Sequence, residues 1–246
     1  MATWVIGDIH GCAEELARLI ERLNLGADDR LVSVGDLFHR GPDPAGVVDL
    51  LTEHRAQFVL GNHELAVLKR VGLAPRSTDP ADRPPLRESF PEIDEDDLAG
   101  DGGTACSVAP HRRADLLVFL QRHNGFYLRH ESVTNGAPTR DGRSWCVVHA
   151  GLAPRVALEH NNVRDLTSLR RLALPGAPWW YEEYAGDELV LFGHTPSSMP
   201  RVFSRRSKPI AIGLDTGCVY GGKLTAYSPE FDEFRSVAAK RAYAMS

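Results

Sequence analysis

The 246-residue sequence contains few cysteines and has no excess of positive charge. Its four cysteines lie far apart and form no C-x-x-C pair, which argues against a disulfide framework. The amino terminus continues directly into a polar motif and predicts a strand, not a secretory leader, so we expect reduced thiols in a cytoplasmic protein. The net charge of −5 argues against a protein that coats nucleic acid by bulk electrostatics. No apolar run approaches the ~20 residues that a membrane span requires.

Five short polar segments recur in a fixed order, and most of them directly follow an apolar run. They are GDIHG (7–11), GD (35–36), GNHE (61–64), HAG (149–151) and GHT (193–195). Polar side chains at the ends of buried strands can all point into one cleft. Asp, Asn and His together provide oxygen and nitrogen ligands that suit Mn²⁺, Fe or Zn²⁺. The combination therefore predicts a two-metal hydrolytic site.

The first third of the chain alternates strand, motif and helix. Apolar runs predict strands at 3–6, 31–34 and 58–60, each followed by one of the polar segments. Leu16, Leu19 and Ile20 have helical spacing in a run that we expect Gly26 to end. Asp43-Pro44 predicts the start of the next helix. Three such units in succession predict a parallel sheet with its site at the carboxyl ends of the strands.

The segment from residue 72 to about 103 breaks this pattern, because it is rich in proline and acidic residues. Two interpretations stay open, a flexible surface excursion and a lid over the substrate. Helical spacing returns at 112–123, and further strands are predicted at 144–148, 188–192, 209–212, 223–227 and 231–237. No repeat or linker divides the chain, so we expect residues 1–246 to form a single domain.

The side chains of these segments can be divided between two cations. Asp8 and His10 could reach one cation, whereas Asn62, His149 and His194 would complete the second. Asp36 could bridge both through its two carboxylate oxygens. Taken singly, these residues have ordinary alternatives as helix caps, turn residues or hydrogen-bonded core histidines. Their occurrence together in a fixed order favours the metal site.

The combined motifs resemble those of calcineurin-like metallophosphoesterases, in the branch that holds phosphoprotein phosphatases and bacterial diadenosine tetraphosphatases. The resemblance rests on GDxHG, GDxxxRGP, GNHE, HAG and GHT and spans nearly the whole chain. It implies an α/β fold, a four-layer α/β/β/α sandwich of two mixed sheets with the dimetal site at one edge. It also implies the following ligand sets: Asp8, His10 and Asp36 for one metal, and Asp36, Asn62, His149 and His194 for the other. By the same resemblance, His63 would be the general acid and Arg40 a phosphate clamp, with Asp36 central to catalysis.

Two further features bear on the substrate. Residues 214–225 resemble the DTGCxxGGxLT signature of bacterial dinucleoside tetraphosphatases, and also the phosphatase module of bacterial polynucleotide kinase-phosphatases. Protein phosphatases of this branch usually carry Asp where this chain has His39. That Asp would make His63 a better acid, and phosphoanhydride leaving groups need less such help. His39 therefore favours phosphoanhydride substrates, although it could be a tolerated substitution. Arg170, between the two histidine motifs, is a candidate second phosphate ligand.

We therefore expect hydrolysis of dinucleoside polyphosphates with two divalent metal ions, Mn²⁺ first, with Fe, Co²⁺ and Zn²⁺ also compatible. The alternatives are a serine/threonine protein phosphatase, a phosphatase acting on nucleic-acid ends, and a non-catalytic protein that binds phosphorylated partners. The expected partner is a small nucleotide or a phosphoprotein, with no membrane association. The sequence does not predict the oligomeric state.

Overall fold

Two five-stranded β-sheets form the centre of the computed structural model, which describes residues 1–75 and 108–245. In spatial order, the first sheet consists of β10 (Glu233–Ala238), β9 (Lys223–Ser228), β1 (Thr3–Ile6), β2 (Arg30–Ser33) and β3 (Gln57–Phe58). The second consists of β4 (Tyr127–Arg129), β5 (Trp145–Val148), β6 (Leu189–Phe192), β8 (Lys208–Gly213) and β7 (Arg201–Arg205). Strands β1, β2 and β3 are parallel, as are β5, β6 and β8, and the other pairings are antiparallel. The predicted pair of mixed sheets is confirmed.

Five α-helices occur in the part of the chain that the structure describes. They are α1 (Ala13–Leu23), α2 (Pro44–Glu53), α3 (Asn62–Arg70), α4 (Pro110–Leu120) and α5 (Val163–Ser168). Asp43 caps α2 by accepting the N–H of Gly46 at 2.8 Å, as its sequence position predicts. Helix α1 ends earlier than predicted, because Asn24 adopts a left-handed conformation with φ of 49° and its N–H bonds to Glu21.

Three apolar layers hold the elements together. Strand β1 alternates, so Trp4 and Ile6 face the helices α1, α2 and α4 while Val5 faces the second sheet. Valine, leucine and isoleucine side chains of both sheets fill the layer between them. The outer face of the second sheet is covered by α5 and by the 3₁₀-helix Trp180–Glu182. The buried aromatic rings of Trp180, Tyr181 and Tyr184 pack there. Among the described residues, α5 is the α-helix of this outer layer.

The segment at 72–103 lies mostly outside the described residues. Within its described beginning, Gly72 turns the chain after α3 with φ of 68°, and Leu73 is buried against the helical layer. The third strand is also shorter than the predicted 58–60, since the N–H of Leu60 bonds to Gly125 at 2.9 Å instead of to a neighbouring strand. Among the described residues, none of the helices has the length and apolar character required to cross a bilayer.

Candidate dimetal centre

The predicted ligands lie where parallel strands end. Asp8 and His10 follow β1, Asp36 follows β2, Asn62 begins the helix after β3, His149 follows β5 and His194 follows β6. The carboxyl ends of parallel strands meet at one edge of a sheet, and both sheets contain parallel strands whose carboxyl ends lead to these ligands. Most of these side chains are buried, and His149 is completely inaccessible. The structure therefore brings all six predicted ligand residues to one place.

The backbone of this centre adopts an uncommon conformation at several of the same residues. His10, Asp36 and His194 have φ values of 49°, 53° and 66°, which non-glycine residues rarely adopt. The carbonyl oxygen of Asp36 accepts the N–H groups of Ile9 at 3.1 Å and His10 at 2.8 Å. These bonds tie the two loops together and stabilise the strained turns. Such strain concentrates at functional sites, where side chains must point in one direction.

Asp36 lies between two groups of ligand atoms. Its Oδ2 is 3.6 Å from His10 Nε2 and 3.8 Å from His63 Nε2. Its Oδ1 is 3.4 Å from His149 Nε2, and His149 forms a second potential metal-binding group with Asp36 and His194. The two carboxylate oxygens thus face different groups, which is the geometry that a bridging ligand requires. The first group of neighbouring ligand atoms consists of those of His10, Asp36 and His63.

The second group contains lone pairs that face one another. The Nδ1 of His149 lies 2.9 Å from the carbonyl oxygen of Val34 and donates its proton there, so Nε2 carries a lone pair. That Nε2 lies 3.0 Å from Asn62 Oδ1, and His194 Nδ1 lies 3.0 Å from the same oxygen. At this distance the lone pair of His149 Nε2 and the Asn62 oxygen repel each other unless a cation lies between them. The donor set therefore fits a bound divalent metal ion.

Burial shifts the pKa values of the carboxylates and the histidines in opposite directions. Burial raises the pKa of Asp36 to about 7 and holds the pKa of Asp8 well above its usual value. It lowers the pKa of His149 to about 4 and that of His194 to about 2. The imidazoles are therefore neutral, the form that binds metals, and the carboxylates would be stabilised by added positive charge.

Asp8 is held by the second sheet although it follows a strand of the first. Both of its carboxylate oxygens accept the N–H of His194, at 3.1 and 3.0 Å, and one of them lies 4.0 Å from His10 Nε2. Gly193 allows this approach, because a Cβ atom there would collide with Asp8 Oδ1. Asp8 therefore connects the β1 loop to the β6 loop across the centre.

Two buried carboxylates at the centre were not assigned a role from the sequence. Asp215, after β8, accepts the N–H of Gly217 at 3.0 Å, and burial raises its pKa to about 6. Glu64 accepts the N–H groups of Asp36 at 2.8 Å, Leu37 at 2.8 Å and Gly61 at 3.1 Å. Glu64 and Gly61 belong to the same GNHE motif, but Asp36 and Leu37 are distant from Glu64 in sequence.

The rings of His63 and His39 lie next to each other beside the first ligand group. Their ring centroids are 4.7 Å apart and the planes are inclined by 35°. The pKa of His63 is lowered to about 2, first by burial and then by His39 and Arg40. His39 thus occupies the neighbouring position that the sequence comparison assigns to an aspartate, and its effect on the pKa of His63 is opposite to that of a carboxylate.

Two arginines lie next to residues of the centre. Arg40 Nη1 is 3.3 Å from His10 Nε2, with its guanidinium 5.8 Å from the centre of the Tyr220 ring. Arg170 is exposed and donates from Nη2 to the carbonyl oxygen of His194 at 3.2 Å. Its neighbour Arg171 is engaged elsewhere, since its guanidinium lies 4.0 Å from the Trp179 ring. Arg40 and Arg170 therefore place positive charge next to both ligand groups.

Comparisons with known proteins point to one family. The model of the calcineurin-like phosphoesterase family matches residues 1–212. An asymmetrical bis(5'-nucleosyl)-tetraphosphatase of Oceanobacillus iheyensis is 28% identical, over 97% of this chain and 93% of the relative. A symmetrical bis(5'-nucleosyl)-tetraphosphatase of Janthinobacterium sp. (strain Marseille) is 30% identical, over 92% of each chain.

Solved structures show the same fold. The crystal structure of a candidate diadenosine tetraphosphatase has a TM-score of 0.69 and 27% identity, covering 96% of this chain and 93% of that one. A metallophosphoesterase from Sphaerobacter thermophilus has a TM-score of 0.54 over 98% of this chain and 89% of its own. At 16% identity, the latter supports the fold alone.

Proposed function

Because the chain belongs to the calcineurin-like phosphoesterase family, we propose that it hydrolyses the phosphoanhydride bonds of dinucleoside polyphosphates, with diadenosine tetraphosphate as the reference substrate. Its tetraphosphatase relatives support this substrate class over more than nine-tenths of the chain. The observation that carries the proposal is Asp36, whose two oxygens face two separate ligand groups. A bridged pair of cations is suited to phosphoryl transfer, where charge must be neutralised at several oxygens.

The proposed ligands divide as the sequence suggests. Asp8, His10 and Asp36 would hold one cation, and Asp36, Asn62, His149 and His194 the other. Mn²⁺ is proposed as the native ion, since oxygen and nitrogen ligands without sulfur suit it. When bound, the two cations would polarise the phosphoryl oxygens and lower the pKa of the attacking water. The hydrogen bond from His149 Nδ1 to the carbonyl oxygen of Val34 orients the ring so that Nε2 can bind the metal.

The side chains of this protein have separate tasks in the proposed reaction. Arg40 and Arg170, which lie next to residues of the centre, would bind non-bridging oxygens of neighbouring phosphates. His63 would donate a proton or a hydrogen bond to the leaving oxygen. The residue next to His63 is His39, not a carboxylate. This favours a nucleotide leaving group, whose oxygen has a low pKa and needs little protonation.

Residues 1–246 are proposed to act as one metallophosphoesterase domain, with the 72–103 segment as a lid or surface excursion. The cytoplasm is proposed as the compartment, because the sequence spacing of the cysteines does not suggest a disulfide framework.

The test is a product analysis on diadenosine tetraphosphate and a phosphoserine peptide side by side. Protein dialysed against chelator should be inactive, and added Mn²⁺ should restore nucleotide release. The H149A variant serves as the matched control, since it should stay inactive after Mn²⁺ is added. Two ADP molecules as products would indicate symmetrical cleavage, and ATP with AMP asymmetrical cleavage. Preference for the phosphopeptide would overturn the substrate proposal, and the absence of any metal-dependent hydrolysis would overturn the enzymatic one.

A further inference from the structure

A second cluster of ligating side chains lies near the dimetal centre and takes no part in it. Cys12, Glu15 and Cys218 each offer one ligand atom, and these atoms all lie within 4.8 Å of one another. All three side chains are buried, with exposures of 0%, 0% and 2%. Cys12 directly precedes α1 and Glu15 lies in its first turn, whereas Cys218 lies in the loop between β8 and β9. The cluster therefore joins two segments that both lead to the metal centre.

The carboxylate of Glu15 is incompletely satisfied. Its Oε1 accepts the hydroxyl of Tyr243 at 2.8 Å and the N–H of Lys240 at 2.9 Å. Its Oε2 is buried and has no hydrogen-bond partner. The ammonium group of Lys240 does not supply one, because it pairs with Glu14. An oxygen of a buried carboxylate without a partner is costly, and a cation would satisfy it.

The thiols of Cys12 and Cys218 lie close enough to the Glu15 carboxylate to bind the same cation as soft ligands. Cys12 Sγ lies 3.7 Å from the carbonyl oxygen of His10. A hydrogen bond with the Cys12 thiol, together with burial, raises the pKa of the Cys218 thiol. Cys12 also occupies the first position before α1 without capping it through its side chain.

We propose that Cys12, Cys218 and Glu15 bind a third cation, a thiophilic divalent ion of the Zn²⁺ type. Binding would form two metal–sulfur bonds and one metal–oxygen bond and release the two thiol protons to solvent, with no change of oxidation state. Two thiolates and one carboxylate carry three negative charges, of which the cation neutralises two. The site fixes the start of α1, two residues after His10, to the loop three residues after Asp215. Its role is structural, and it stands whether or not the proposed hydrolase activity is correct.

Cobalt substitution tests this site, because sulfur coordination gives Co²⁺ a strong near-ultraviolet charge-transfer absorption that oxygen and nitrogen ligands do not produce. The protein would carry C106S throughout, so that the described cysteines alone contribute. It would be reduced, freed of metal and titrated with Co²⁺. Protein that retains Cys12 and Cys218 should show the sulfur-to-cobalt absorption band. It should also bind one more cobalt ion per chain than the C12S/C218S variant.

The controls separate this site from the dimetal centre. The C146S variant should keep the band, because Cys146 is buried in the outer layer of the second sheet. The E15Q variant, which keeps both thiols, should bind cobalt more weakly at this site. The H149A variant should lose cobalt from the dimetal centre and retain the sulfur band. Absence of the band in protein with Cys12 and Cys218 intact, or its persistence in C12S/C218S, would overturn the proposal.

Discussion

Replacing Glu64 should destabilise the protein strongly, although this side chain is not a metal ligand in the proposed centre. Its carboxylate accepts three backbone N–H groups from the loops after β2 and β3. Glu64→Gln retains one oxygen acceptor, and Glu64→Ala retains none. The two variants therefore remove different numbers of buried hydrogen bonds from the same loops.

The expected loss of stability depends on which oxygen of Glu64 accepts which N–H group. Oε2 accepts the N–H groups of Asp36 and Gly61, and Oε1 accepts that of Leu37. In Glu64→Gln the amide oxygen can keep the two Oε2 bonds, while its NH₂ group faces the Leu37 N–H. One buried donor then loses its partner, at a cost of about 1–3 kcal/mol. Glu64→Ala leaves three donors and a cavity, so its cost approaches the ~5–15 kcal/mol that stabilises a whole domain.

Urea unfolding, followed by circular dichroism in the presence of chelator, measures these costs without a contribution from bound metal. Glu53→Gln on the exposed side of α2 is the matched control and should change the free energy of unfolding by less than about 0.5 kcal/mol. The order wild type, Glu64→Gln, Glu64→Ala is expected for decreasing stability. A Glu64→Gln protein as stable as wild type would refute the reasoning, since the third hydrogen bond would then contribute nothing.

Three further variants give separate tests. His63→Asn should lower kcat on diadenosine tetraphosphate by up to about 10²-fold, the lower end of the range for general acid catalysis, because this leaving group needs little protonation, while the metal content stays at the wild-type level. An unchanged kcat would contradict a role in proton donation. His39→Asp should raise hydrolysis of p-nitrophenyl phosphate relative to that of diadenosine tetraphosphate, and an unchanged ratio would show that His39 does not set substrate choice. The pKa of Asp141 is lowered from 3.8 to about 2 by hydrogen bonds from Thr139, then Arg143 and Lys208, so its stabilisation is present above pH 3.8 and is lost as the pH falls towards 2. Its side chain is 37% exposed, so Asp141→Asn should cost less than ~1 kcal/mol at pH 7 in urea unfolding, and a difference from wild type that persisted at pH 2 would contradict the assignment.

Much of the first sheet could be predicted because its strands are short, apolar and followed by polar motifs. The pairing of β1 with β9 could not, since Val5 and Tyr227 meet across more than two hundred residues of chain. Nothing in the local pattern of either strand specifies that partner. In the outer layer of the second sheet, buried aromatic rings such as Trp180 cover the sheet without a helical repeat, so the local pattern does not show which face they cover.

The position of the centre could be predicted because its motifs follow apolar runs in the sequence. Asp36 and Asn62 are conspicuous in sequence, since each follows a glycine at the end of an apolar run. The function of Glu64 depends on Asp36 and Leu37, which are 28 and 27 residues away in sequence. A role that consists of accepting backbone N–H groups of another loop becomes visible once the loops are placed together. Asp215 was overlooked for the same reason, because its charge matters through its burial beside Asp8.

The division of the centre between the two sheets affects how long the protein survives. Asp36 belongs to the first sheet and His149 to the second, so the centre is complete once the sandwich has closed. Cations that bind the closed sandwich and not the unfolded chain raise its melting temperature in proportion to the logarithm of their concentration. Metal scarcity would therefore reduce the number of folded molecules as well as the turnover of each one. The lifetime of the protein would then depend on the metal supply around it.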